Sequence, residues 1–400
     1  MGGGASSQSN ASCDEGDPRA PDNDASGDGG TAAAGSTHRD YQFDEVIPAT
    51  ETYQVCRAFT LDTAFRSVVA IEPLVEQRAH VHHMVAHWCR QNEYFDSFVL
   101  PPGSTAGAPP CVGPSTNFDR GKTQCTGAIF AYTPGTQEVR FPAGTGLPVG
   151  TGQGELQHII LNVHYNNPTL VRGLRDRSGF RFVYSRDTVT ETVSMLKLGD
   201  PAALDYLPLP ARRPRAEATL ECPAGCTSTF PHAVRVFAVT PHMHLRGRAL
   251  QMFIRRQNAA DEELVFNVEF YDHEFQSYVP VDFLIEPGDT VITRCTYDTS
   301  DADRDVTMGQ ATSQEMCLGA VMYYPKINGM ALCGPAGHQS TSGISRTTGI
   351  EEYMFCGSSQ RTLLPQGQPG LQTHRDESAF RRTFGVAGAD EGGSGSSCGG

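Results

Sequence analysis

Between about residues 41 and 365 the apolar positions either alternate with polar ones or gather in short β-branched runs, separated by turn-forming clusters such as "PPGS", "YNNP", "EPGD" and "YDTSD". A period of two with frequent breaks predicts strands, and no long segment with helical period competes with it. "ELQHIILNVHY" (155–165), "HAVRVFAVTPHMHL" (232–245), "DTVITRCTY" (289–297) and "MCLGAVMYY" (316–324) read as strands of antiparallel sandwiches. The Pro-rich stretch "LGDPAALDYLPLPARRPRAEA" (198–218) holds few residues able to pair in a sheet. The chain is therefore read as all-β, with two sandwich domains at 41–197 and 212–365 and a linker at 198–211.

Residues 1–40 consist of Gly, Ala, Ser, Asp and Asn with almost no large apolar side chains, and 366–400, ending "GADEGGSGSSCGG", are alike. Neither stretch buries enough surface to offset the entropy of ordering, so both are expected to be disordered tails.

The formal charge of −14 and the lack of clustered Lys and Arg exclude nucleic acid as a partner. No apolar run is long enough for a transmembrane segment. "GGGASSQSNASCDEGDP" after Met1 lacks the apolar core of a signal peptide, so either an export signal is encoded elsewhere or the sequence has been trimmed. A lipid-modified cysteine upstream, followed by this Gly- and Ser-rich spacer, would anchor the chain at an outer surface. Twelve cysteines, scattered singly, point to disulfides and an oxidising compartment, secreted or periplasmic. Structural zinc would need two close pairs, and only Cys222 with Cys226 offers one.

Side chains alternate across a strand, so "AVRVFAVTPHMHL" places Val234, Val236, Ala238, Thr240, His242 and His244 on one face. A lone His-x-His pair is often a solvated strand end; a metal centre needs a third ligand. Upstream, "HVHHMVAHWC" (80–89) holds four histidines within eight residues. Adjacent His82 and His83 would point to opposite faces of a regular strand, so joint binding of one ion requires a twist or a bulge. His164, in "LNVHYNNP", ends an alternating strand and by itself reads as a polar terminus. Met316 would share a strand face with Leu318, Ala320, Met322 and Tyr324, where methionine is usually core filler. His80, His87, His158 and His273 read as structural, with His87 notable for its closeness to the first histidine pair.

Together "VHHM" (81–84), "VHYNNP" (163–168), "HMHLRGR" (242–248) and "EMC" (315–317) resemble, in order and spacing, the copper type II, ascorbate-dependent monooxygenases. This is the family of dopamine β-monooxygenase and peptidylglycine α-hydroxylating monooxygenase. "EFQSYVPVDFLIEPGDTVITRCTYDTSD" (274–301) and "VMYYPKINGMALC" (321–333) look like the dopamine enzyme in particular, and the likeness covers about residues 50–360.

The resemblance implies two jelly-roll-like β-sandwiches facing a solvent-filled cleft, with two copper ions per chain. His82, His83 and His164 would hold a copper that stores and delivers an electron. His242, His244 and Met316 would hold the copper that binds O2 and attacks a substrate C–H bond. Imidazole suits both copper oxidation states, and a thioether favours Cu(I). Ascorbate or a similar electron donor would serve as cosubstrate. The same resemblance pairs Cys56 with Cys111, Cys89 with Cys125 and Cys295 with Cys317, and bridges Cys222 and Cys226 to Cys333 and Cys356. Cys13 and Cys398 have no family partner.

Three positions depart from the family. Where the peptide enzyme has an arginine two residues before the His-x-His pair, this chain has Thr240. A tyrosine four residues after the methionine is Ala320, and an asparagine two after it is Leu318. The implied pocket is roomier and less polar, so peptide amidation is not expected. From the length, neither the extra amino-terminal domain of the dopamine enzyme nor a lyase domain is expected in these 400 residues. The expected function is hydroxylation of a small organic substrate; a copper storage or delivery protein without catalysis would carry the same ligands.

Overall fold

The computed structural model describes Met1, Gln91 and residues 37–89, 93–100, 107–110, 125–152, 154–199, 208–309, 313–328, 330–333 and 354–356. In chain order the first strands are β1 (Thr37–Gln42), β2 (Glu45–Ile47), β3 (Thr52–Thr60), β4 (Ser67–Leu74), β5 (Val81–Cys89), β6 (Cys125–Tyr132), β7 (Val139–Arg140), β8 (Thr145–Pro148), β9 (His158–Asn166), β10 (Leu174–Asp176), β11 (Gly179–Ser185) and β12 (Glu191–Thr192). The rest are β13 (Ser194–Gly199), β14 (Ala216–Cys222), β15 (Val234–His242), β16 (Gly247–Arg255), β17 (Glu263–Val268), β18 (Val279–Ile285), β19 (Thr290–Tyr297), β20 (Leu318–Tyr324), β21 (Met330–Cys333) and β22 (Met354–Cys356). Two single-turn helices, α1 (Glu93–Asp96) and α2 (Ala224–Thr227), interrupt them.

The strands build two sandwiches, as the period of two predicts. One pairs the sheet β1-β11-β4-β8-β12 with the sheet β3-β9-β5-β6. The other pairs β18-β15-β20-β13-β21-β22 with β14-β19-β16-β17. In β14 the alternation is complete, with Ala216, Ala218, Leu220 and Cys222 inward and Glu217 and Glu221 outward. Strand β9 is buried along most of its length because it lies between β3 and β5 and is covered on both faces. Leu161 and Val163 enter the main core, while Ile160 packs with Cys56, Phe95 and Phe98 behind it.

The sheet containing β15, β20 and β13 is apolar on both sides, and this positions the site. Leu196, Leu198, Val239 and Val321 face its own core, whereas Met195, Ala238 and Met322 join the cluster of the first sandwich. Phe130 stacks on Tyr278 at 5.0 Å, and the Tyr278 hydroxyl accepts a hydrogen bond from Ala131 N at 3.0 Å.

Several expected boundaries shift. β13, ahead of the Pro-rich stretch, pairs antiparallel with β20 and parallel with β21, so the chain has entered the second sandwich before residue 197. Leu209, inside the expected linker, is fully buried and exchanges backbone hydrogen bonds with Val306. β1 begins at Thr37, four residues inside the expected tail, because it completes the edge of β11. The remainder of both tails, with Cys13 and Cys398, lies outside the described residues.

Candidate metal centres

The adjacent histidines are brought together by an irregularity of the backbone. In the β5·β9 ladder Val81 opposes Tyr165 and His83 opposes His164, so His82 is an extra residue facing no partner of its own. A bulge of this kind breaks strict alternation and lets consecutive side chains share a face. The Nδ1 atoms of His82 and His83 end 3.1 Å apart, with their ring centroids 5.1 and 4.8 Å from that of His164. One ligand atom from each of the three lies within 4.8 Å of the others.

This trio is suited to a cation. Burial lowers the proton affinity of His82, drives that of His83 far down, and with His82 nearby pushes His164 to a pKa of about 4. The rings are therefore neutral at ordinary pH and have lone pairs to donate. Two imidazole nitrogens at 3.1 Å must share a proton or face a common ion. His164 Nε2 is 2.6 Å from Thr52 Oγ1, while its Nδ1 is buried without a protein partner. A buried, unpaired ring nitrogen is costly unless something binds it.

The second group forms where β15 ends. His242 is the last residue of the strand and His244 lies in the turn beyond it, so the two do not share one continuous strand face as expected. Their rings nevertheless meet edge to face at 5.2 Å. His244 Nδ1 lies 2.8 Å from the Gln314 carbonyl and His242 Nδ1 lies 2.5 Å from Gln276 Oε1. The Gln276 amide nitrogen donates to His273 O, which fixes which end of the amide meets His242. A carbonyl only accepts, so both Nδ1 atoms carry a proton, and in a neutral His242 the lone pair is then on Nε2. Burial, with His244 adding to it, pushes the His242 pKa down to about 4.

Met316 is not part of a strand; β20 starts two residues later, at Leu318, and the segment before it is held by side chains. The buried carboxylate of Glu315 accepts the backbone N–H of His244 at 2.9 Å and of Arg246 at 2.7 Å. The hydroxyl of Tyr297 donates to the Met316 carbonyl at 2.8 Å, and Cys317 is bonded to Cys295. Since Leu318 pairs with His242, the methionine sits at the same end of the sheet as the two imidazoles. Gly199, beside Leu318 with φ +128°, allows this approach, because a Cβ there would lie 2.3 Å from the Cys317 carbonyl.

Glu315 and Gln276 are the site residues that sequence reasoning missed. Glu315 stood inside the "EMC" stretch, directly before the methionine, and its position between two ligand segments was the available signal. Cys222 is bonded to Cys333, and Cys56, Cys89 and Cys226 are also in disulfides. Cys89 opposes Cys125 and Cys333 opposes Cys356 in the strand ladders. Cys111 and the side chains of Cys125 and Cys356 lie outside what the structure describes.

The two groups are close enough to feel each other's charge. Charge on His242 or His244 would make His83 harder to protonate, and charge on His244 or His273 does the same for His82.

Residues 40–172 match the N-terminal domain, and residues 193–343 the C-terminal domain, of the copper type II ascorbate-dependent monooxygenases. The chain belongs to that family. Among its relatives, the DBH-like monooxygenase protein 1 of Homo sapiens is 32% identical over 296 residues, covering 71% of this chain and 46% of the relative. The dopamine beta-hydroxylase of Equus caballus is 31% identical over 308 residues, covering 73% and 47%. The tyramine beta-hydroxylase of Caenorhabditis briggsae is 28% identical over 291 residues, covering 70% and 46%. The chain spans a little under half the length of these relatives.

Proposed function

We propose that this protein is a copper monooxygenase that places one oxygen atom of O2 on a C–H carbon of a small organic substrate, with ascorbate or a similar one-electron donor. The observation that carries the reading is the convergence of His82, His83 and His164, with a buried unpartnered ring nitrogen on His164, near a second histidine pair, His242 and His244, whose rings meet edge to face. His82, His83 and His164 would hold one copper, and His242, His244 and Met316 the other. Bound there, copper supplies one-electron redox chemistry and a position for oxygen.

The protein's own contribution is orientation. Gln276 and the Gln314 carbonyl hold the tautomer of the second pair, and Thr52 holds His164. Glu315 and the Cys295–Cys317 bridge keep the methionine segment against the His-x-His turn. Disulfides agree with a secreted or periplasmic protein. The Gly- and Ser-rich amino-terminal stretch would serve as the spacer of a lipid anchor, an assignment that the upstream reading frame tests.

The test is ascorbate-dependent oxygen uptake by the copper-loaded protein across a panel of small amines, alcohols and acids, with product analysed for a new hydroxyl group. The expected result is oxygen uptake matched by product, abolished by Met316→Ala while the three-histidine site stays loaded. Full hydroxylation by Met316→Ala refutes the ligand assignment, and stoichiometric copper without uptake on any substrate points to storage or delivery.

A further inference from the structure

The sheet face that looks toward the first sandwich carries a cation with no counter-charge among the described residues. Across the three central strands Lys197 of β13 opposes Ala320 of β20, which opposes Thr240 of β15. Directly opposed residues project to the same side, and Thr240 shares that side with His242, two residues on. The side in question is the one on which Met195, Ala238 and Met322 reach the first sandwich. Lys197 is half-buried, and among the described residues it has neither a carboxylate nor a hydrogen-bond partner. Its charge reaches His242, whose protonation it disfavours. Between Lys197 and Thr240 in the sheet register stands Ala320, whose side chain is a single methyl group.

The opposite wall supplies a second orphan. On β5 the residues His83, Val85 and His87 share the face turned away from the first core, whose members on this strand are Met84 and Ala86. His87 is 1% exposed, and both of its ring nitrogens lack a protein partner. It is close enough to Lys197 that the ammonium helps burial push its pKa down to about 3. His87 is thus a neutral ring with one N–H to donate. Thr240 is nearly buried too, and its hydroxyl lies beside that of Tyr278 without a hydrogen bond of good geometry. A half-buried ammonium without a partner among the described residues and a buried imidazole with none, both on the side of the second metal group, are features that a bound anion would satisfy.

We propose that Lys197 and His87 bind the carboxylate of the substrate, so that the preferred substrates of this centre are small organic monoanions. The charge fits: one ammonium and one neutral imidazole leave a single positive charge to balance, which a carboxylate matches and a dianionic phosphate exceeds. The two donors suit the two carboxylate oxygens, and the neighbouring Met195, Met322 and Ala320 suit an apolar remainder. The pocket read as less polar from Thr240, Ala320 and Leu318 receives its charge from a different strand. This inference deepens the proposed monooxygenase reading and rests on it for the word substrate, but the binding itself needs no turnover.

The test uses the full-length, copper(II)-loaded protein without reductant. It is titrated with 3-phenylpropionate, 3-phenylpropionamide and 3-phenylpropylamine, which share one ring and differ in head group. Binding is read by calorimetry and by the emission of Trp88, the sole tryptophan and the neighbour of His87. The carboxylate is expected to bind about tenfold or more tighter than the amide and the amine. Lys197→Leu should weaken carboxylate binding by roughly 30-fold or more while leaving the amide unchanged. His87→Phe should weaken it less, and Lys197→Arg should keep the preference. Preference for the amide or amine in the unaltered protein overturns the proposal, as does a carboxylate preference that survives Lys197→Leu. Should Lys197→Leu lose all three ligands, Lys197→Arg decides, and loss of the preference there overturns it too. Carboxylate selectivity without oxygen uptake would sink the monooxygenase reading alone, and hydroxylation with amine selectivity would sink this inference alone.

Discussion

Gln276 holds His242 through a 2.5 Å contact between Oε1 and Nδ1, and the same glutamine is fastened by its backbone to the other sandwich. Its N–H donates to the Pro134 carbonyl at 3.0 Å, and its carbonyl accepts from the Thr133 hydroxyl at 2.8 Å. One residue therefore sets the ring of a candidate ligand and ties it to the opposite half of the molecule.

Replacing Gln276 by Leu should leave the backbone anchors in place and free the His242 ring. Copper affinity at the second group is expected to fall roughly 10–100-fold, the usual cost of losing a partner that orients a ligand. Copper titration followed by electron paramagnetic resonance would resolve the two sites, with the three-histidine group unaffected. Equal affinity at both sites before and after the change would remove the orienting role.

Glu315→Ala should strand the backbone N–H groups of His244 and Arg246, which the carboxylate now accepts. A loss of about 3 kcal/mol in unfolding free energy is expected, because two buried donors lose their acceptor. Glu315→Gln, which keeps one carbonyl oxygen, should lose less. Urea denaturation of both variants checks the order.

Removing the Cys295–Cys317 bridge by a double change to Ala should cost about 3 kcal/mol, given the sequence separation of 22 between the two cysteines. The damage should exceed the stability loss in one respect: binding of copper at the second group should weaken while the first is spared. Denaturation and metal titration on the same sample would separate the two effects.

His87 makes acid stability measurable. In the unfolded chain it takes up a proton near pH 6.5, but in the folded protein burial and Lys197 delay this to about pH 3. Its contribution is therefore complete above pH 6.5 and is lost progressively as pH falls toward 3. Metal-free His87→Phe should lose less stability between pH 7 and pH 4 than the unaltered protein. Identical slopes in urea unfolding across that range would contradict the burial of a neutral ring.

The strands and the ligand candidates were legible because both depend on local signals. A period of two marks strands such as β9, β15 and β19, and the density of histidine in "HVHHMVAHWC" stands out from its surroundings. Sheet membership was not legible: "SMLKLG" has the composition of a strand, but nothing local says that β13 joins β20 and not the sandwich before it. The same holds for Glu315 and Gln276, polar residues in irregular segments whose partners are distant in the chain. Met316 lay in no strand because its carbonyl is taken by Tyr297 before the ladder begins.

The offset at His82 carries a lesson for anyone wishing to transplant this centre. Grafting the three rings onto an evenly paired hairpin would turn one of the consecutive imidazoles outward, leaving two donors where three are wanted. Deleting a single residue from this strand should do the same harm as mutating a ligand, since what aims the third ring is a count of peptide units and no side chain elsewhere can restore it.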